Sequence, residues 1–410
     1  MARQTVLILG NYRPALPMAR SLADAGWRVA VSADEGNGAA RHSRFVSETW
    51  ENAEAWAAGG AALWQALARH LEARPDIDTV FPIHQRYVQD FFANRHRLPG
   101  DRLYVMPNRE AVEVSLDKGR SFAAAEDAGF ATARNREVAD DAGLAAAAEE
   151  IGYPLIVKPV DSVIPVAGRK ALILHRAGDL TDWLPRWPRG NEALIVQSYV
   201  DGPRINLYFA AERGRAVRYL AAEILRTDRP DGTGLATLGR TIRPDPALLQ
   251  KADALIGRLG YHGIGCLQVL RDDRTGAPSF LEINPRIGGN HAITVRCGLG
   301  LETLAIALAR GEATGETLRT APAGVRYVWT TGALRGAAQS WKAGELGTAG
   351  ALGAAARSVA EGLTGGGHVT FHPRDPMPAL ALTLGRIPRV GPLFFPSGPR
   401  RRPLTVRLFG

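Results

Sequence analysis

The sequence predicts a multidomain protein of combined α/β and α+β class, organised in three parts at residues 1–108, 109–310 and 311–410. Three observations lead there. The first hundred or so residues alternate apolar runs of strand type with runs of helical spacing, which is how a βαβ layer begins. Further along, several apolar runs of strand length follow one another closely, an ordering that suits antiparallel pairing. Beyond residue 310 the composition shifts to glycine and alanine, and the chain ends in a basic tail containing Arg400, Arg401, Arg402 and Arg407.

Taken in order, VLILG at 6–10 reads as a buried strand, 15–25 as a helix closed by Gly26, and 27–31 as the next strand. Residues 51–74 carry alanine, leucine and tryptophan at helical spacing in spite of Gly59-Gly60, and 79–83 is another strand. Gly10 is followed by Asn11-Tyr12-Arg13-Pro14 and not by two more spaced glycines, so this opening is no dinucleotide fingerprint. A helix is expected over 117–128 with Gly129 as its stop, and another from Asp140 to about Gly152. Strands are expected at 155–158, 171–174 and 193–200, then a pair at 205–211 and 217–224. Asp245-Pro246 combines an N-cap with proline at the first helical position, opening a helix that Gly260 ends. The helical pattern at 301–309 closes at Arg310-Gly311. In 332–367 alanines alternate with breakers, which reads as short helices and loops or as a disordered segment; ordered structure resumes at 368–371 and 379–384.

With 410 residues, 46% of them hydrophobic and 22% charged, the chain can bury substantial cores. No apolar stretch approaches the roughly 18 residues a membrane span needs, and the apolar run after Thr5 is too short for a signal peptide, so a cytoplasmic location is expected. The two cysteines, Cys266 and Cys297, lie in apolar surroundings and read as buried free thiols. A formal charge of +9 raises the question of nucleic acid, but zinc-finger spacing, a helix-turn-helix signature and interleaved aromatic and basic residues are all missing from the sequence. A basic cleft for a polyanionic nucleotide plus a solvated tail accounts for the charge.

The chemistry concentrates in FLEINPRIGGN, 280–290. Side chains two apart on a strand share a face, so Glu282 and Asn284 can address one hard cation, with Gln268 in GCLQVL on an adjacent strand. This oxygen-rich set, free of thiolate and imidazole, suits magnesium holding phosphates better than zinc. The alternative is an ordinary strand-end carboxylate followed by an Asn-Pro turn. Upstream, PLIVKP ends a strand with the cation of Lys158.

These residues resemble the ATP-grasp superfamily, in particular its carboxylate-amine ligases and carbamoyl-phosphate-synthetase-like members. The resemblance spans about residues 5–310 and is sharpest in LEINPR, preceded by Gln268. It implies an ATP-grasp fold behind an N-terminal α/β (pre-ATP-grasp) domain. It further implies Gln268, Glu282 and Asn284 as ligands for Mg2+, with Mn2+ as a substitute, and Arg286 against the reacting phosphate. Lys158 and Lys118, the latter in LDKGRSF, correspond to nucleotide-binding lysines. LIVQSYVDG, 194–202, matches the hinge over adenine, which assigns Gln197, Tyr199, Val200 and Asp201 to the cofactor ATP. Arg226 and Arg240 stand where related proteins keep basic residues facing substrate or phosphate, and 229–239 reads as part of a closing lid. The sequence departs from the family at Ser198, commonly glutamate, near Arg204, where an acid usually holds the ribose, and in 161–169, a phosphate loop with Gly168 as its one glycine.

The activity this implies is ligation of a carboxylate, such as an amino acid, to an amine, with ADP formed through an acyl phosphate. The substrates are then small molecules; a homodimer is allowed. Arg13, His84 and Arg296 are candidate carboxylate anchors. Two other readings stay open: a carboxylate kinase or other phosphoryl-transfer enzyme using the same site, and a non-catalytic nucleotide or nucleic acid binder.

Overall fold

The computed structural model describes residues 4–34, 38–160, 171–183, 193–312, 314–315, 319–364 and 366–384. The chain divides into two compact units, one comprising Met1–Tyr104 with Thr370–Gly410 and the other Val105–Val369.

In the first unit the elements are β1 (Thr5–Leu9), α1 (Ala15–Asp24), β2 (Arg28–Ser32), β3 (Glu48–Trp50), α2 (Ala53–Ala58), α3 (Gly60–Ala73), β4 (Ile77–Pro82), α4 (Gln85–Asn94) and β5 (Leu103–Tyr104). The strands form a parallel sheet in the order β3-β2-β1-β4-β5. Every residue of β1 is buried, as expected of a strand covered on both faces. The helical stretch expected over 51–74 is two helices, because Gly59 takes φ 64°, a left-handed conformation that no helix continues through. Among residues 370–384, Asp375 packs here, its carboxylate buried against Arg20 at 3.0 Å and accepting hydrogen bonds from Ser43 Oγ (2.6 Å) and the Arg44 amide (2.9 Å).

The second unit opens with α5 (Arg109–Leu116), α6 (Lys118–Asp127) and β6 (Ala131–Thr132). A small sheet follows, built from β7 (Asn135–Val138), α7 (Asp141–Ile151), β8 (Leu155–Pro159), β9 (Leu172–Leu174), α8 (Ala177–Trp183) and β10 (Leu194–Ser198). Its order is β7-β10-β8-β9, all antiparallel, over a core of Leu144, Ile151, Val157 and Leu194 among others.

The large sheet takes β11 (Arg204–Glu212), β12 (Arg215–Thr227), β13 (Ala236–Ile242), α9 (Pro246–Arg258), β14 (Gly263–Arg271), β15 (Pro278–Asn284), α10 (Ala292–Arg296), α11 (Leu301–Ala309), β16 (Arg319–Thr320), β17 (Arg326–Val328), α12 (Thr330–Lys342), α13 (Thr348–Thr364) and β18 (Gly367–His368). The order is β18-β17-β13-β12-β11-β14-β15-β6, with β16 beside β12. One face carries Ile205, Leu207, Ala221, Leu267, Val269, Phe280 and Ile283 into a core shared with α5, α6 and α9. The predicted cap holds, Asp245 accepting from the Ala247 amide at 2.7 Å. In the first unit, α14 (Met377–Leu384) ends the described chain.

One expectation is corrected. Region 332–367 forms two helices, one of them 17 residues long, where short helices and loops were expected. Glycines read as breakers are contact points instead: a Cβ on Gly336 would lie 2.2 Å from the Asp228 carbonyl oxygen, and one on Gly362 would lie 2.7 Å from Thr330 Oγ1. The segment 229–239, expected to be part of a lid, is a turn leading into β13. Asp228 closes it by accepting from the Leu235 amide at 2.7 Å and donating its own amide to the Leu235 carbonyl at 2.9 Å.

Candidate functional site

The face of the large sheet opposite the core gathers the polar residues. Register sets Gln268 of β14 directly opposite Glu282 of β15 and opposite Asn206 of β11, while Cys266 faces Asn284 and Tyr208. Gln268, Glu282 and Asn284 therefore occupy one face, as expected from their spacing. Asn284 Nδ2 donates to Glu282 Oε1 at 2.7 Å, and Glu282 is exposed. Cys266, a buried free thiol, is pushed up to about 12 by burial and by the Glu282 carboxylate, against the opposing pull of Arg286 and Arg204. Those two arginines thus act on the same face, and Arg286 Nη1 donates to its neighbour's carbonyl, Ile287 O, at 3.2 Å. Cys297, the other free thiol, is half-buried.

The small sheet and helix α6 each supply a cation. Lys158 on β8 is drawn down to about 8 by burial and by the neighbouring Lys118 ammonium, with the Glu282 carboxylate opposing the fall. Lys118 opens α6 and donates from Nζ to the Pro159 carbonyl at 2.9 Å, which ties the helix start to the strand end beside Lys158. The Lys158 ammonium lies 6.0 Å from the Phe122 ring centroid, and Phe122 meets Phe280 edge-on at 5.4 Å. Two like charges and one carboxylate drawn together from three elements form a centre suited to a polyanion.

Gln197 is buried in β10, opposite Ile156 and Asn135. After it the chain crosses to the large sheet: the Tyr199 amide donates to Pro154 O (3.2 Å), Tyr199 OH to Asp201 Oδ1 (3.4 Å), and the Asp273 amide to Asp201 O (2.9 Å). Gly202 is required at this crossing, since its φ is 144° and a Cβ would lie 1.8 Å from Arg271 O.

The other candidates lie elsewhere. Arg240 belongs to the row Arg240–Glu223–Ile205–Val269–Phe280, which is the core face, and its guanidinium pairs with Glu223 at 2.8 Å. It is not on the face of Gln268 and Glu282, because neighbouring positions on a strand point to opposite sides. Arg226 pairs with Glu361 of α13 at 2.5 Å. In the first unit His84 caps α4, accepting from the Arg86 amide at 3.2 Å. The segment 161–169 and the arginine tail lie outside the described residues. Sequence reading passed over Asn206, which is buried with no hydrogen-bond partner for Oδ1; a polar residue in the apolar run of β11 was the available signal.

A family described as ATP-grasp in the biosynthetic pathway with Ter operon matches residues 191–333. The structure is similar to a biotin carboxylase from Campylobacter jejuni solved with β-γ-ATP, at TM-score 0.60 and 17% identity over 79% of this chain and 74% of that one. It is also similar to the N5-carboxyaminoimidazole synthetase of Staphylococcus aureus complexed with ADP, at TM-score 0.61 and 13% identity over 79% and 80%. The chain has an ATP-grasp fold, and residues 191–333 carry the likeness to an ATP-grasp family. In sequence the chain is 35% identical, over 102 residues, to the formate-dependent phosphoribosylglycinamide formyltransferase of a Nitratiruptor species. That match spans 24% of this chain and 25% of the relative. Lys158 stands on the small sheet and Lys118 on α6, while Gln268, Glu282 and Asn284 stand on the large sheet. No helix among the described residues is long and apolar enough to cross a membrane.

Proposed function

We propose that the chain is a cytoplasmic, ADP-forming ligase that joins a small-molecule carboxylate, such as an amino acid, to an amine with ATP as cofactor. The observation that carries this reading is the convergence of Lys118, Lys158 and Glu282 from α6, β8 and β15. Cations alone would suit any anion; with the oxygen row Gln268, Glu282 and Asn284 beside them they suit a nucleotide whose terminal phosphates carry a divalent ion.

The residues fit magnesium. Magnesium is commonly held by one or two carboxylates plus substrate phosphates and water, and exposed Glu282 with the neighbouring amides Asn284 and Gln268 supplies that set. When bound, magnesium supplies charge neutralisation at the terminal phosphates.

The chain's own residues do the rest. Lys118 and Lys158 hold the phosphates, and Gln197, Tyr199, Val200 and Asp201 flank the base at the crossing. Arg286 stabilises the charge on the transferring group while the substrate carboxylate oxygen attacks the γ-phosphorus and ADP leaves. The amine nitrogen then attacks the acyl carbon, inorganic phosphate departs, and the amine loses a proton. The named relatives support the carboxylate half of this reading, since formate is itself a carboxylate. We propose further that two copies of the chain associate.

The test is a screen of paired carboxylates and amines for ADP formation, with wild type against Glu282→Ala. Turnover should vanish in the variant with the fold intact. Magnesium-dependent turnover retained in Glu282→Ala would remove the site assignment. With an oxygen-18 carboxylate, label should reach inorganic phosphate, and label in AMP with pyrophosphate released would overturn the acyl phosphate.

A further inference from the structure

The three oxygen ligands differ in what each needs before an ion can use it. Glu282 offers either of two equivalent carboxylate oxygens. Asn284 is a carboxamide with one useful end, and that end is already settled: Nδ2 donates to Glu282 Oε1 at 2.7 Å, which leaves Oδ1 for the ion. Gln268 is a carboxamide too. A cation attracts its oxygen and repels its NH2 group, so Gln268 serves only when Nε2 is held by an acceptor that faces away from the ion.

Strand β11 places an acceptor there. Gln268 stands in register between Glu282 on β15 and Asn206 on β11, and directly opposed side chains have Cβ atoms about 4.5–5.5 Å apart. Ile205 and Leu207 on one strand, Leu267 and Val269 on the other, all enter the core, so Asn206 and Gln268 share the opposite face. Asn206 is only 7% exposed, and its Oδ1 is buried without a hydrogen-bond partner. The other end of that amide is occupied, Nδ2 donating to the Tyr208 hydroxyl at 3.5 Å. Buried acceptors are seldom left without a donor. Ala222, opposite Asn206 on β12, has no donor in its side chain, and Arg204, two residues back, turns its guanidinium to the Gly234 carbonyl at 3.2 Å. The remaining neighbour is Gln268, which has two N–H groups to give.

We infer that Asn206 is a positioning residue of the ion site: its Oδ1 accepts a hydrogen bond from Gln268 Nε2 and so turns Gln268 Oε1 toward magnesium. The inference rests on the magnesium reading of Gln268, Glu282 and Asn284 given above. Partners behind a metal ligand commonly fix its orientation in this way. The need arises from the amide, because a carboxylate in the place of Gln268 would present an oxygen whichever way it turned. With a single carboxylate among the three ligands, the correct end of each amide is a large share of the attraction for the ion.

Isothermal titration of the full chain with AMPPNP, a non-hydrolysable ATP analogue, tests this in excess magnesium and in excess EDTA. The ratio of the two dissociation constants is the magnesium-dependent gain, expected at about 100-fold in wild type. Asn206→Ala should cut that gain about tenfold or more, and Asn206→Leu, which fills the space without an acceptor, should do the same. The constant in EDTA reads the nucleotide pocket without the ion, which separates a lost ion contact from a distorted pocket. In the Gln268→Glu background, Asn206→Ala should change the gain less than about twofold. A gain untouched by both Asn206 variants yet lost in Glu282→Ala would overturn the positioning role and leave the magnesium site standing. An equal loss in the two backgrounds would also overturn it, since Asn206 would then act on the ion or nucleotide without Gln268. So would an effect seen entirely in the EDTA constant. A wild-type chain with no magnesium-dependent gain would overturn the magnesium reading and this inference together.

Discussion

Nucleotide affinity should fall as pH rises through the titration of Lys158. The ammonium is held at about 8, below the usual lysine range, by burial first and by Lys118 second. A free protein with that value carries the proton in roughly nine molecules of ten at pH 7 and about one in ten at pH 9. If phosphate binds the charged form, the dissociation constant of MgADP should rise about tenfold over that interval. ADP itself is fully ionised over most of this range, its last phosphate proton leaving near pH 6. For stability the sign is opposite. The folded value lies below the unfolded one, so the folded form sheds its proton first and the fold gains stability as pH climbs from about 8 toward about 10.5. Isothermal titration of MgADP at several pH values measures the effect, and Lys158→Arg, which stays charged throughout, should flatten it. A wild-type affinity constant from pH 7 to 9 would refute the placement of Lys158 against phosphate.

Arg286→Ala should lower the rate constant at saturating substrates by one to two orders of magnitude, about 1.4–2.7 kcal/mol, with a smaller change in nucleotide affinity. Arg240→Ala, on the other face of the sheet, should change turnover less than about twofold; a larger loss would mean that the Glu223 pairing opens in the working enzyme. Gly336→Val should destabilise the second unit by about 1–3 kcal/mol in urea, since its Cβ would meet the Asp228 carbonyl oxygen at 2.2 Å. Asp375→Ala should cost the first unit about 3–5 kcal/mol by leaving the Arg20 guanidinium buried without its carboxylate, and an unchanged melting temperature would contradict that accounting.

Much of the architecture was legible because local patterns and tertiary burial agree. VLILG is apolar throughout and becomes the fully buried β1, and Asp245-Pro246 states its cap and first turn outright. LEINPR could be read because its polar residues alternate with Ile283, a core residue. What escaped was whatever depends on a neighbour distant in sequence. Gly336 and Gly362 look like breakers, but the close contacts that explain them belong to Asp228 and Thr330. Arg226 and Arg240 bracket one turn, which says nothing about facing. The pairing of β13 with β12 turns Arg240 toward the core side, and Glu361, far along the chain, engages Arg226.

The pairing of β14 with β15 shifts register between Gln268 and Val269, so that Val269 meets Phe280 while Gln268 meets Glu282. Leu281 is the residue passed over. Phe280 and Ile283 both enter the core although an odd number of steps separates them, and only the extra residue reconciles this with strict alternation. The carboxylate thus owes its outlook to the count of residues before it as well as to its identity. A chain lacking Leu281 would keep every proposed ligand and turn Glu282 and Asn284 into the hydrophobic interior or shear the pairing of β15. In this stretch the number of residues constrains the site as firmly as the identity of Glu282 does.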